Sequence, residues 1–210
     1  MLPEKFEFLK NRFLGDSENS VLHAACWDTD GTELPIFRAN NGQSSSLFSP
    51  DLHLRTHPDV TFSKDGSIRT SRLETLLPKA ARFDLINFDV QGAELRALRG
   101  LGGFLEQVKW AYLEVNERRL YDGCALLSEI DAFMQERGFV RIATRMESAH
   151  GWGDALFVNS NKLSQSALLW LQLKAAFWNT WANAQRDAPS WASSLKIRIK
   201  RKLLSYLGRE

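Results

Sequence analysis

The sequence predicts an α/β domain built on a doubly wound, mostly parallel sheet, followed by a helical tail. Three observations carry this expectation. Apolar runs of strand length alternate with segments of helical periodicity over residues 1–160. The run Leu85-Ile86-Asn87-Phe88-Asp89-Val90 reads as a strand covered on both faces, which ends at a carboxylate, turns at Gly92 and opens a helix over Ala93–Leu98. Two neighbouring strands, Phe139–Thr144 and Asp154–Asn159, close the domain and predict an antiparallel edge.

Composition narrows the class. Of 210 residues, 44% are apolar and 25% charged, the balance of a globular domain with an appendage. Met1 leads into the charged pair Glu4-Lys5, and no apolar run has the length of a membrane span. Cys26 and Cys124 lie far apart and form no disulfide framework or metal-ligand cluster, so the expected setting is a reducing cytoplasm. Residues 1–159 hold 18 Lys and Arg against 23 Asp and Glu, whereas residues 160–210 hold 9 against 2. An acidic body over residues 1–160 therefore carries a basic tail over residues 161–210.

The elements follow in order. Phe6, Leu9 and Phe13 recur at helical spacing over Pro3–Leu14, with Gly15 as the stop. Ser20–Trp27 and Glu33–Arg38 read as strands around Asp28-Thr29-Asp30-Gly31, a candidate hairpin. Asn40–Ser49 is a polar loop. Val60–Phe62 and Ser67–Thr70 read as short strands flanking the turn Lys64-Asp65-Gly66, and Leu73–Ala81 as a brief helix. After the Leu85 strand and its helix, Val108–Asn116 is a strand with Glu114 near its carboxyl end. Ala125–Arg137 carries a helical stripe of Leu126, Leu127, Ile130, Phe133 and Met134, capped by Gly138. In the tail, Leu168–Ala184 and Ser190–Leu207 read as helices. The second places Trp191, Leu195, Ile199, Leu203 and Leu207 four apart among Lys and Arg residues. That pattern suits an anionic membrane surface, and equally packing on the domain or on a partner chain. Nucleic acid is not an expected partner, because the body is acidic and the basic run short.

The chemistry concentrates at one corner. Asp89, Gln91 and Glu94 crowd a strand-to-helix turn at the carboxyl end of a strand, where open α/β sheets place their ligands. With its preceding apolar strand, Asp89-Val90-Gln91-Gly92-Ala93-Glu94-Leu95 resembles the signature of FkbM-type S-adenosylmethionine-dependent methyltransferases. The loop Asn41-Gly42-Gln43-Ser44-Ser45-Ser46-Leu47, the strand Leu113-Glu114-Val115 and the run Asp154-Ala155-Leu156-Phe157-Val158 fit the same family in the same order. The resemblance implies a Rossmann-like class I methyltransferase fold, S-adenosylmethionine as cofactor, and methyl transfer to a hydroxyl of a sugar or small metabolite. It also implies roles. Asp89 would face the cofactor and position the acceptor, and Glu94 or Glu114 would act as the base. Ala25 and Cys26 would lie near the cofactor, while Asn41, Gln43, Ser44 and Gln91 would contact the acceptor.

Each residue also has a plainer use. Glu94 suits the dipole of its own helix, Glu114 could pair with Arg118 or Arg119, and Asn, Gly and Ser favour turns in any loop. Gln91 can only hydrogen-bond. His53 and His57 are four apart, a metal-ligand spacing on a helix, but Pro58 and the local composition predict a loop, so no metal is expected. His150 sits in a Gly/Trp loop without a partner legible in the sequence.

The family's glycine-rich turn after its first strand has no counterpart here, and no apolar strand precedes residue 20. The expectation is therefore an N-terminally truncated form that lacks the first two strands. The open sheet edge so created would favour aggregation or a partner chain. A non-catalytic remnant or binding module is the competing expectation.

Overall fold

The computed structural model describes residues 2–147 and 149–174. Its elements are α1 (Pro3–Arg12), β1 (Ala25–Cys26), β2 (Glu33–Ala39), α2 (His53–Thr56), β3 (Phe62–Ser71), α3 (Leu73–Leu76), β4 (Leu85–Phe88) and α4 (Glu94–Gly100). A 3-10 turn over Gly102–Gln107 follows, then β5 (Trp110–Asn116), α5 (Leu127–Gln135), β6 (Phe139–Glu147) and β7 (Trp152–Asn159). Contacts divide the chain into two units, Met1–Ser164 and Gln165–Glu210. In the second unit, residues 165–174 are helical, and the expected helix over Ser190–Leu207 lies outside the described residues. Among the described residues no helix is long and apolar enough to cross a membrane.

The strands form two mixed sheets, ordered β1-β3-β2 and β4-β5-β7-β6, in place of one mostly parallel sheet. Only β1 with β3 and β4 with β5 are parallel; β2/β3, β5/β7 and β6/β7 are antiparallel. The antiparallel closing strands are present, with Glu114 opposite Asp154 in the β5/β7 register.

The first sheet departs from the expected hairpin. Instead of pairing with β2, the shortened β1 runs parallel to β3. Thr70 explains the rearrangement. Its hydroxyl donates to the Thr29 carbonyl at 2.7 Å and accepts from Thr32 N at 3.1 Å, while its own carbonyl accepts from Gly31 N at 2.9 Å. The Asp28–Gly31 turn is thus clamped onto β3, which takes the central place. The two short strands expected around Lys64-Asp65-Gly66 are one strand with a bulge. Its register passes from Phe37 opposite Lys64 to Pro35 opposite Ser67, with Gly66 at φ 75° absorbing the extra residue.

The second sheet carries the main core. Leu98, Val108, Ala111, Leu113 and Val115 are wholly buried between β5, α4 and α5. In β4, burial alternates: Ile86 is buried, whereas Leu85 is 57% exposed and Asn87 exposed. The expectation of a strand covered on both faces fails for this reason. Among the described residues β4 pairs only with β5, so it forms the sheet edge. Helix α4 lies close against β1: a Cβ at Gly100 would stand 2.0 Å from the Trp27 carbonyl oxygen. Helix α3 is only four residues long, much shorter than the Leu73–Ala81 helix expected, because the chain turns extended at Leu77 before Pro78.

Candidate active site

The site is built on the turn between β4 and α4. Gln91 has φ 52°, a left-handed conformation that costs a non-glycine residue about 1–2 kcal/mol. Gly92 follows at φ 95°, and a Cβ there would stand 2.9 Å from Cys124 Cβ. Ser46 Oγ donates to the Gln91 carbonyl at 2.7 Å and helps hold this shape. Glu94 completes it from beneath, its Oε1 accepting Val90 N at 2.9 Å and Gly92 N at 3.2 Å. Glu94 is only 1% exposed, and burial pushes its carboxyl up to about 7 despite these backbone hydrogen bonds.

The strained geometry turns the Gln91 side chain into a hub. Its Nε2 donates to Asp89 Oδ1 at 2.6 Å and to Glu114 Oε2 at 2.7 Å. Its Oε1 accepts from the Tyr121 hydroxyl at 2.9 Å, which also lies 3.1 Å from the Ser44 carbonyl. Glu114, at the carboxyl end of β5, is pushed up to about 10, first by burial and then by its hydrogen bond to Asp89. It therefore holds a proton at neutral pH. Burial also pushes the Tyr121 phenol upward. Glu114 does not use Arg118 or Arg119: Arg119 pairs with Glu129 at 3.0 Å.

Two cavities share this hub. The larger, about 630 Å³, is lined by Asn41, Gln43, Ser44, Asp89, Gln91 and Glu114, together with His53, His57, Tyr121, Trp152 and Asp154. The smaller, about 260 Å³, is lined by Leu2, Ala25, Cys26, Leu47, Val90 and Ala93, and again by Gln43, Asp89 and Gln91. The structure thus gathers the expected residues into two groups that overlap at Gln43, Asp89 and Gln91. Glu94 stands apart: it lines neither cavity and is occupied with the backbone of the turn. The Asn41 side chain is partly taken up in its own loop, accepting from Gln43 N at 3.0 Å and Ser44 N at 3.1 Å.

Sequence reasoning missed part of the lining. The loop expected at His53–His57 contains a helical turn, α2, and the imidazoles stack with centroids 4.6 Å apart. His150 stacks on His57 at 4.7 Å. Their four-residue spacing was the available signal. Tyr121 and Trp152 carried none, since only the tertiary fold brings them into the same cavity as Asp89. Among the described residues no group of three or more His, Cys, Asp or Glu side chains could hold a metal ion.

The family model of the methyltransferase FkbM domain matches residues 3–141. The 2-O-methyltransferase NoeI of Sinorhizobium fredii (strain NBRC 101917 / NGR234) is 34% identical over 82 residues. Those residues are 38% of this chain and 34% of that protein, so the similarity spans about a third of the relative's length. No solved structure matches the chain.

Proposed function

Since the chain belongs to the FkbM methyltransferase family, we propose that it transfers a methyl group from S-adenosylmethionine to a hydroxyl, on a sugar or a small metabolite. The observation that carries this reading is the pair of cavities sharing Asp89, Gln91 and Gln43. One cavity suits the donor, the other the acceptor, and the transferred group would cross between them at the hub.

The smaller cavity has the character the donor requires. Leu2, Ala25, Leu47 and Val90 provide apolar wall for an adenosyl group, and Asp89 a carboxylate for the positive charge of a sulfonium. Burial keeps the Cys26 thiol protonated there. Bound in this place, S-adenosylmethionine supplies an electrophilic methyl group. On the acceptor side, Asp89 offers an oxygen that accepts from and orients a hydroxyl, while the protonated Glu114 donates to Asp89 and Gln91 holds both carboxyls in place. Gln43 and Ser44 would contact the remaining hydroxyls, and Trp152 and Leu120 would keep water from the reacting oxygen.

Calorimetric titration of the full chain with S-adenosylmethionine and S-adenosylhomocysteine tests the donor half of this reading; micromolar binding is expected. Absence of binding overturns it. The second reading, a binding module without methyl transfer, then gains support. The observation favouring that alternative is the β4 edge, beside which the described residues place no further strand.

A further inference from the structure

We propose that His57 is the catalytic base of the larger cavity, taking the proton of the acceptor hydroxyl through Nε2; this rests on the methyl-transfer reading above. The expected bases are both committed elsewhere. Glu94 accepts the two backbone N–H groups of the turn and does not line the cavity. Glu114 keeps its own proton at neutral pH and spends it on Asp89. Gln91 and the residues of the Asn41 loop have no basic group to offer. His57 lines the same cavity as the hub and is only half-buried.

Its surroundings bear on both charge and tautomer. His53 stacks on one side of the ring at 4.6 Å and His150 stacks at 4.7 Å, so a proton on His57 would face two further imidazoles. Burial and His150 hold its protonation below the ordinary histidine range, which leaves it neutral at physiological pH. His57 Nδ1 lies 2.9 Å from Thr56 Oγ1. The Thr56 hydroxyl has one proton, and the Leu52 and His53 carbonyls, each at 3.3 Å, can only accept it. With the Thr56 proton on one of those carbonyls, Thr56 Oγ1 accepts from His57 Nδ1–H, and the lone pair is left on Nε2. His53 cannot substitute, because its own Nδ1 is buried without a hydrogen-bond partner.

The step balances with a sulfonium methyl donor. As the acceptor oxygen bonds to the methyl carbon, its proton passes to His57 Nε2. The carbon–sulfur bond breaks with its electron pair on sulfur, leaving a methyl ether, a neutral thioether and an imidazolium that returns its proton to solvent. General-base assistance of this kind contributes about 10²–10⁴-fold.

The test pairs a structural readout with turnover in the full chain. Imidazole nitrogen NMR of the 15N-labelled protein should show His57 as the Nδ1–H tautomer, titrating below its usual value of about 6.5. Thr56→Val should shift the tautomer toward Nε2–H, and Thr56→Ser should restore it. An Nε2–H tautomer in the unaltered protein overturns the proposal, with or without turnover. Transfer of labelled methyl from S-adenosylmethionine to methyl α-D-glucopyranoside is then compared between the unaltered chain and the His57→Gln and His57→Asn variants. A kcat loss of about 100-fold or more with KM nearly unchanged supports the base; retention of turnover within about threefold overturns it. If the unaltered chain transfers no methyl to this glycoside, calorimetry with S-adenosylmethionine separates the two readings. Absence of binding overturns methyl transfer and His57 with it. With binding intact, the Nδ1–H tautomer supports His57 and the Nε2–H tautomer overturns it alone.

Discussion

Gln91 donates to Glu114 across the gap between the β4–α4 turn and β5, at 2.7 Å and over 23 residues of sequence. An amide in this place neutralises nothing, yet it gives a shared donor to two carboxyls already joined by the Glu114 proton. Replacing Gln91 by Leu should leave Asp89 and Glu114 facing each other without the shared donor. The expected cost is about 1–3 kcal/mol of stability, read from urea unfolding, together with weaker donor binding by calorimetry.

Glu94 should make stability depend on pH in a definite window. Its folded carboxyl titrates near 7, above the unfolded value of about 4.5. The folded state therefore binds the extra proton, and this contribution is complete below about 4.5. It is lost as pH rises through 7, an effect of roughly 3 kcal/mol for one buried group. Glu94→Gln removes the titration while keeping an oxygen for Val90 N and Gly92 N. Unfolding curves from pH 4.5 to 8 should show a flatter profile in the variant; an unchanged slope would place the titration elsewhere.

Gly92→Ala tests the shape of the turn. The new Cβ meets Cys124 and Tyr121 at 2.9 and 3.1 Å and forces an L-residue into φ 95°. Strain of this kind costs about 1–3 kcal/mol, and the melting temperature should fall accordingly. Gly100→Ala should do at least as much, because the obstacle there is the Trp27 backbone itself.

Tyr121→Phe removes one hydroxyl that lies against both Gln91 Oε1 and the Ser44 carbonyl. A loss of about 1 kcal/mol is expected. Because Ser44 lines the cavity proposed for the acceptor, KM for the acceptor should rise more than kcat falls.

The corner from Asp89 to Glu94 was legible in the sequence because its logic is local: a carboxylate at a strand end, a glycine for the turn, and an acid one turn on. The role of Glu94 was not, since a first-turn acid reads alike whether it faces solvent, substrate or its own backbone. The order of the first sheet escaped for another reason. It depends on Thr70 clamping a turn some forty residues earlier, and strand periodicity says nothing of which strand takes the centre. His57, Tyr121 and Trp152 share a cavity with Asp89 only through tertiary packing, so they could be seen as residues but not as its lining.

The glutamate under the turn has a consequence for how the domain assembles. Its hydrogen bonds span two and four residues, whereas those converging on Gln91 from Tyr121 and Ser46 span 30 and 45. Short loops close early and at small entropic cost, long ones late. The turn can therefore take shape while the chain is still largely unfolded, and the cleft forms around it as distant segments arrive. Loosening Ser46 or Tyr121 would then blunt the chemistry while the framework stays folded; damage at Glu94 or Gly92 would remove the seed on which the site is laid.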